Sequence, residues 1–269
     1  AGINVETVIN GVHGELSEAI NRLDLHQPAF VNHSAQPSGV AVSLAEHGYL
    51  RSVDEEGLAD WAEEAGAVVV LLVRPGRYLF PGAAVAELVG GRGDEEAVEN
   101  IRAAFSLGSR QAAAQDLEFA VRQLAEIALR ALSPGINDPF TAIAVLDRLG
   151  AALCEMAPRR LPGSMVERGG KVVLYRQVTD YAGLCDAMFH MIRQNAAGSP
   201  AVLIRLREVL GRVIAVETCA ERRVELLRHA DLALAAGRLG IKDPSDVAAL
   251  EAHPVAVPRA DGRLPETRF

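Results

Sequence analysis

A helix stop and a helix start stand within six residues of each other, and this pair constrains the fold of the chain most tightly. Ser133-Pro134-Gly135 ends an apolar-periodic stretch running from about Gln111 to Leu132. Proline denies a helix its backbone donor, and glycine accepts the left-handed conformation in which helices end. Asn137-Asp138-Pro139 then opens the next stretch, with Asp138 as N-cap and Pro139 at the first helical position. The first helix carries Leu117, Phe119, Ala120, Leu124, Ile127, Ala128 and Ala131; the second carries Ile143, Leu146, Leu149 and Leu153. The loop between them governs how the two helices cross.

The rest of the chain reads in four parts. Residues 1–30 form a leading amphipathic helix with Val5, Val8, Ile9, Val12, Leu16 and Ile20 on one stripe. Residues 31–92 are β-rich. Short strands are expected at Val40–Val42, Gly48–Val53, Ala67–Val73, Tyr78–Phe80 and Val85–Leu88, with a short helix at roughly 55–65. Their closely spaced turns, Arg74-Pro75-Gly76 and Pro81-Gly82, predict a small barrel or sandwich. Residues 93–252 are helical. Asp94 caps a helix that reaches Leu107-Gly108, and a β-hairpin near 165–176 turns at Gly169-Gly170. Helix follows from about 179 to 195 and again after Ser199-Pro200. Thr218 and Glu221 form a capping box, and whether 200–237 is one helix or two stays open. Asp243-Pro244 opens a last helix, and residues 253–269 are a tail with three prolines. The expected fold class is α+β, predominantly helical, with a small β-barrel/sandwich-like module after the first helix and one later β-hairpin.

Composition narrows the function. A chain of 269 residues has room for one or two domains. Its net charge of -8 does not suit binding of nucleic acid through bulk charge. The basic pairs Arg159-Arg160 and Arg222-Arg223 read as solvated faces. Only Lys171 and Lys242 offer lysine chemistry. The longest apolar run, Ala67–Val73, is of strand length, and no leader opens the chain. Because it begins almost directly in a helix, the expectation is a piece cut from something longer. Cys154, Cys185 and Cys219 lack metal spacing and read as buried free thiols, which favour a reducing compartment. The stretch Pro75–Ala86 resembles the biotinyl/lipoyl barrel-sandwich pattern. No lysine lies between residues 31 and 92, so covalent carriage of biotin or lipoate there is excluded.

Polar residues concentrate around the stop–start pair. Asp116, Gln123 and Arg130 are spaced by seven, about two helical turns, and so share a stripe beside Phe119, Ala120 and Ile127. Polar groups against packed surface need partners. The following loop offers backbone N–H groups, Ser133, Asn137 and Asp138, with Thr141 one turn on. In one reading Asp116, Gln123 and Arg130 clamp the loop. In another, Arg110, Arg130 and the helix N-terminus after Asp138 bind a small anionic ligand. A metal site on Asp116, Asp138 and Asp147 lacks histidine and clustered carboxylates, so neither metal nor cofactor is expected. His33 and His47 read as surface or hydrogen-bonded side chains, and His190 and His229 as helix-face residues. Gly90-Gly91-Arg92-Gly93 reads as a linker. No catalytic motif is recognised.

The stretch Gln115-Asp116, then Gln123 through Ala142 with its Ser-Pro-Gly-Ile-Asn-Asp-Pro-Phe-Thr core, resembles the signature of the bacterial predicted membrane proteins catalogued as domain of unknown function 2254. Gly48-Tyr49-Leu50, Val53-Asp54, Pro75-Gly76, Gly82 and Ile192-Arg193-Gln194 also resemble that family, over about residues 3–240. The chain departs from the pattern at Gln111, where Arg-Thr is expected. The resemblance implies several transmembrane helices N-terminal to this region. The leading helix would connect to them, the chain would be the soluble C-terminal region, and the full-length protein would lie in the bacterial plasma membrane. The free thiols lean towards the cytoplasmic side, and the membrane side stays open. The resemblance brings no catalytic residues. The best functional reading is a non-enzymatic, regulatory or ligand-sensing region, and family analogy adds a homo-oligomer. The rival readings are a hydrolase-type enzyme at an Asp116/Arg130/Asp138 cleft and an assembly module.

Overall fold

The computed structural model describes residues 4–25, 36–109, 117–253 and 255. In it the stop–start pair is the turn between two helices. In chain order the described helices are α1 (Val5–Asn21), α2 (Glu55–Ala65), α3 (Glu95–Ala103), α4 (Leu117–Ala131), α5 (Pro139–Met156), α6 (Tyr181–Asn195), α7 (Pro200–Val216), α8 (Ala220–Gly240) and α9 (Pro244–Glu251). The strands are β1 (Val40–Ser43), β2 (Gly48–Val53), β3 (Ala67–Leu71), β4 (Tyr78–Leu79), β5 (Ala84–Gly90), β6 (Phe105–Gly108), β7 (Met165–Arg168) and β8 (Lys171–Tyr175). The fold is α+β, as expected. The chain divides into two compact units, one with α1 and α4 to α9, the other with the strands, α2 and α3.

In the helical unit the apolar stripes meet in one core. Leu124 and Ala128 of α4, Leu146, Leu149 and Leu153 of α5, Met188 and Phe189 of α6, and Leu203, Leu206 and Leu210 of α7 are all buried there. Each buried leucine contributes about 1.5–3 kcal/mol. α5 packs on α4 and α7, and α6 on α4 and α8. The leading helix packs within this unit. Ile9, Leu16 and Ile20 join its core against α4 and α5, because an apolar stripe that wide needs cover. Arg148 Nε and Nη2 donate to Asn10 Oδ1 at 3.1 and 2.9 Å.

The stretch 200–237 resolves into two helices. Cys219, not Thr218, is the N-cap of α8, so the helix starts one residue too late for the expected capping box. Glu217 Oε1 accepts from the Cys219 N–H at 2.9 Å, and Glu221 accepts from the Cys219 thiol at 3.1 Å.

The β unit holds two open sheets, of order β1-β5-β3-β8-β7 and β4-β2-β6, and no barrel closes among the described residues. β3 is the central strand of the larger sheet, and Val69, Val70 and Leu71 are buried. A strand covered on both faces has no polar alternation, hence the unbroken apolar run. The hairpin expected inside the helical region adds to this sheet instead: β8 pairs in parallel with β3, Val69 opposite Leu174. Its turn glycines have φ of +56° and +74°, as a two-residue hairpin loop requires. A second correction concerns the helix after Asp94. It ends at Ala103, and Phe105–Gly108 becomes an edge strand on β2. Phe105 and Leu107 then pack on Leu44, Leu50, Leu79 and Val85, a tertiary gain that outweighs one more helical turn.

Candidate functional site

The loop between α4 and α5 is held mostly by its own groups. Ser133 Oγ donates to the Arg130 carbonyl at 2.7 Å. The N–H groups of Ile136 and Asn137 donate to the Ser133 carbonyl at 3.0 and 2.9 Å, and that of Asp138 to the Ala131 carbonyl at 2.8 Å. Asn137 is left-handed at φ +48°, a conformation asparagine tolerates better than most residues. Asp138 caps α5: Oδ1 accepts from the N–H groups of Phe140 and Thr141 at 3.1 and 3.2 Å, and Oδ2 from Thr141 Oγ1 at 2.6 Å. The Thr141 hydroxyl and N–H hold the Asp138 carboxyl below its usual range.

Of the other described residues singled out from the sequence, the Arg130 and Asp147 side chains pair elsewhere. The Arg130 side chain is 74% exposed and pairs with Glu126 at 2.5 Å. Gln123 is half-buried, and its Oε1 has no hydrogen-bond partner among the described residues. Arg110 and Asp116 lie outside the described residues. Asp147 pairs with Arg205 at 2.7 Å, separately from the Asp138 cap. Ile136 and Phe140 are exposed by 62% and 80%.

Arg222 is not a solvated face. It is fully buried, donates to the Arg159 carbonyl at 3.0 Å, and lies 3.7 Å from the buried Glu217 carboxylate. Its guanidinium sits 4.9 Å from the Tyr181 ring centroid.

A convergence of ionisable groups lies elsewhere in the helical unit, between α6 and α8. Asp186 and His190 are four residues apart on α6 and so share a face. α8 presents Glu225, Arg228 and His229. Arg228 Nη2 donates to Asp186 Oδ1 at 2.7 Å, and its Nε to Glu225 Oε2 at 2.7 Å. His190 Nδ1 and His229 Nε2 each lie 3.2 Å from the same Asp186 oxygen. The His229 Nε2 is also 3.2 Å from Arg228 Nη2.

His229 is fully buried and contacts the Phe189 and His190 rings edge-on, at centroid distances of 5.6 and 5.9 Å. Burial, then the Arg228 charge, pushes its pKa down to about 4, so the imidazole is neutral at pH 7. Burial raises the Asp186 carboxyl, but the bond and charge of Arg228 outweigh it and hold the group low.

The reading of His190 and His229 as plain helix-face residues missed this cluster. An acid stands four residues before each histidine, Asp186 before His190 and Glu225 before His229. That spacing was the available signal. The packing of α6 on α8, which joins the two pairs, was not visible in it.

The model of the family described as "predicted membrane protein (DUF2254)" matches residues 1–212. The uncharacterized protein MT1328 of Mycobacterium tuberculosis is 30% identical over 220 residues, covering 78% of this chain and 42% of that protein. The uncharacterized protein Mb1321c of Mycobacterium bovis has the same identity and coverage. The chain thus spans well under half the length of these relatives. No solved structure matches it.

Proposed function

Because the chain belongs to the DUF2254 family of predicted membrane proteins, we propose that it is the extramembranous, ligand-responsive region of such a protein, with a regulatory and non-catalytic role. No helix among the described residues is long and apolar enough to cross a membrane. The carrying observation is the α6–α8 cluster, where Asp186, His190, Arg228 and His229 converge on one carboxylate oxygen. Both helices belong to a unit with a continuous core, so a ligand drawing on both would change how they pack.

The three cysteines, all free, support a reducing, cytoplasmic side for this region. Self-association is part of the same reading and rests on analogy with membrane assemblies. The hydrolase alternative gains no support at Arg130 and Asp138: the arginine is solvated and both carboxylate oxygens of Asp138 serve the cap.

The test is a thermal-shift screen against anions, nucleotides and divalent metals, with Arg130→Ala and His190→Ala alongside. A ligand at 100 times its Kd adds about 2.7 kcal/mol to the native state. The expected result is a stabilising compound whose effect survives Arg130→Ala and is lost in His190→Ala. The reverse pattern would return the α4–α5 loop as the site. No shift with any compound would sink the ligand-responsive reading.

A further inference from the structure

We infer that Asp186, His190 and His229 are the ligands of a divalent transition-metal ion of the zinc class, and that Arg228 is the cation this ion displaces. The inference names the ligand of the site proposed above and rests on that reading.

Chemistry selects the class. Two imidazoles and one carboxylate suit zinc and its first-row neighbours, whereas calcium and magnesium take oxygen ligands. One ligand atom from each of the three side chains lies within 4.8 Å of the others. The separations fit a shared ion more closely than that limit requires. His190 Nδ1 and His229 Nε2 are each 3.2 Å from Asp186 Oδ1. Bonds of about 2.0–2.1 Å at a tetrahedral centre put neighbouring ligand atoms roughly 3.3 Å apart. The 3.2 Å approach of His190 Nδ1 is not spent on a hydrogen bond, since that buried nitrogen has no hydrogen-bond partner among the described residues.

The elements supply rigidity and access. Asp186 and His190 share one face of α6, and α8 packs against that helix. His229 anchors the site from inside, with its side chain wholly buried. The Asp186 side chain is 46% exposed, so the site borders solvent on the carboxylate side and an ion bound there can keep a water as its fourth ligand.

Arg228 supplies positive charge to the same group of ligands. Its Nη2 lies 2.7 Å from Asp186 Oδ1 and 3.2 Å from His229 Nε2, placing positive charge beside the same donors. Its Nε is already bonded to Glu225 at 2.7 Å. The guanidinium can therefore release Asp186 and keep a carboxylate partner. One cation replaces another, and the α6–α8 link changes from an ion pair to coordination. A metal ion would in this way alter the packing of the two helices.

The experiment is calorimetric titration of the 269-residue chain with Zn2+, together with Co2+ titration followed by visible absorption. The variants are His190→Ala, Asp186→Asn and Arg228→Ala, each checked for folding by circular dichroism. One Zn2+ per chain is expected, with the Co2+ bands of a four-coordinate site. His190→Ala, at a half-exposed position, should weaken binding by more than the roughly 10–100-fold typical of losing an outer-shell partner. Arg228→Ala should tighten it about tenfold or more. The inference is overturned if no saturable binding occurs, if binding occurs only in Arg228→Ala, or if it survives both His190→Ala and Asp186→Asn unchanged. Should zinc fail while another compound still stabilises the chain through His190, only the metal assignment falls. If nothing stabilises it, the ligand-responsive reading falls as well.

Discussion

Asp138 shows how one side chain turns a chain. Its two oxygens satisfy two orphan N–H groups and one hydroxyl at the start of α5. Asp138→Ala should cost about 1 kcal/mol, read as a lower urea midpoint. The folded carboxyl titrates below its unfolded value, so its stabilisation is complete above the ordinary carboxylate range. It is lost as pH falls through the folded value. Asp138→Asn should keep most of the cap and remove this pH dependence, which unfolding curves at pH 7 and pH 3 would resolve. Arg222 is the opposite kind of residue, a buried cation whose removal strands Glu217. Arg222→Ala should destabilise by about 3–5 kcal/mol, and adding Glu217→Gln should recover part of that loss. A cost no larger in the single variant than in the double one would show that the pair is not coupled.

Among the elements, α5 carries a tight packing demand. It crosses α7 at Gly150, where a methyl group would overlap the Val209 side chain. Gly150→Ala gains helix propensity but overpacks the crossing, and overpacking typically costs about 1–3 kcal/mol. The expected outcome is net destabilisation in chemical denaturation; a gain in stability would mean that Val209 rotates away freely. The α4–α5 pair was legible because its stop and start signals are local. One reading of the stripe had Asp116, Gln123 and Arg130 clamp the loop; among the described residues the loop's bonds come from Ser133, Asp138 and backbone groups. Seven-residue spacing places two side chains on one stripe without deciding what that stripe faces. The end of α3 was misread for a related reason: Ala104 and Phe105 continue the helical period of Val98 and Ile101, and the pairing with β2 makes Phe105 the start of a strand.

For the whole molecule, the consequential pairing is β8 beside β3, which brings together segments far apart in the chain. Leu174 is fully buried on that pairing. Leu174→Ala should cost about 2–5 kcal/mol, with hydrogen exchange faster across β3 and β5. Unchanged protection in β3 would show that the hairpin is an accessory to the sheet. The sequence by itself determined the α+β class, the turn at Ser133–Asp138, the family, and most helix ends, because propensity, capping and period act over a few residues. Tertiary structure alone decided that the two sheets stay open among the described residues, that the hairpin completes the larger one, that the leading helix packs in the core, and that Arg222 and His229 are buried. It also decided the meeting of Asp186 with His190 and His229. Each of these depends on which distant segment covers a face, and a local pattern shows that a face must be covered without showing by what.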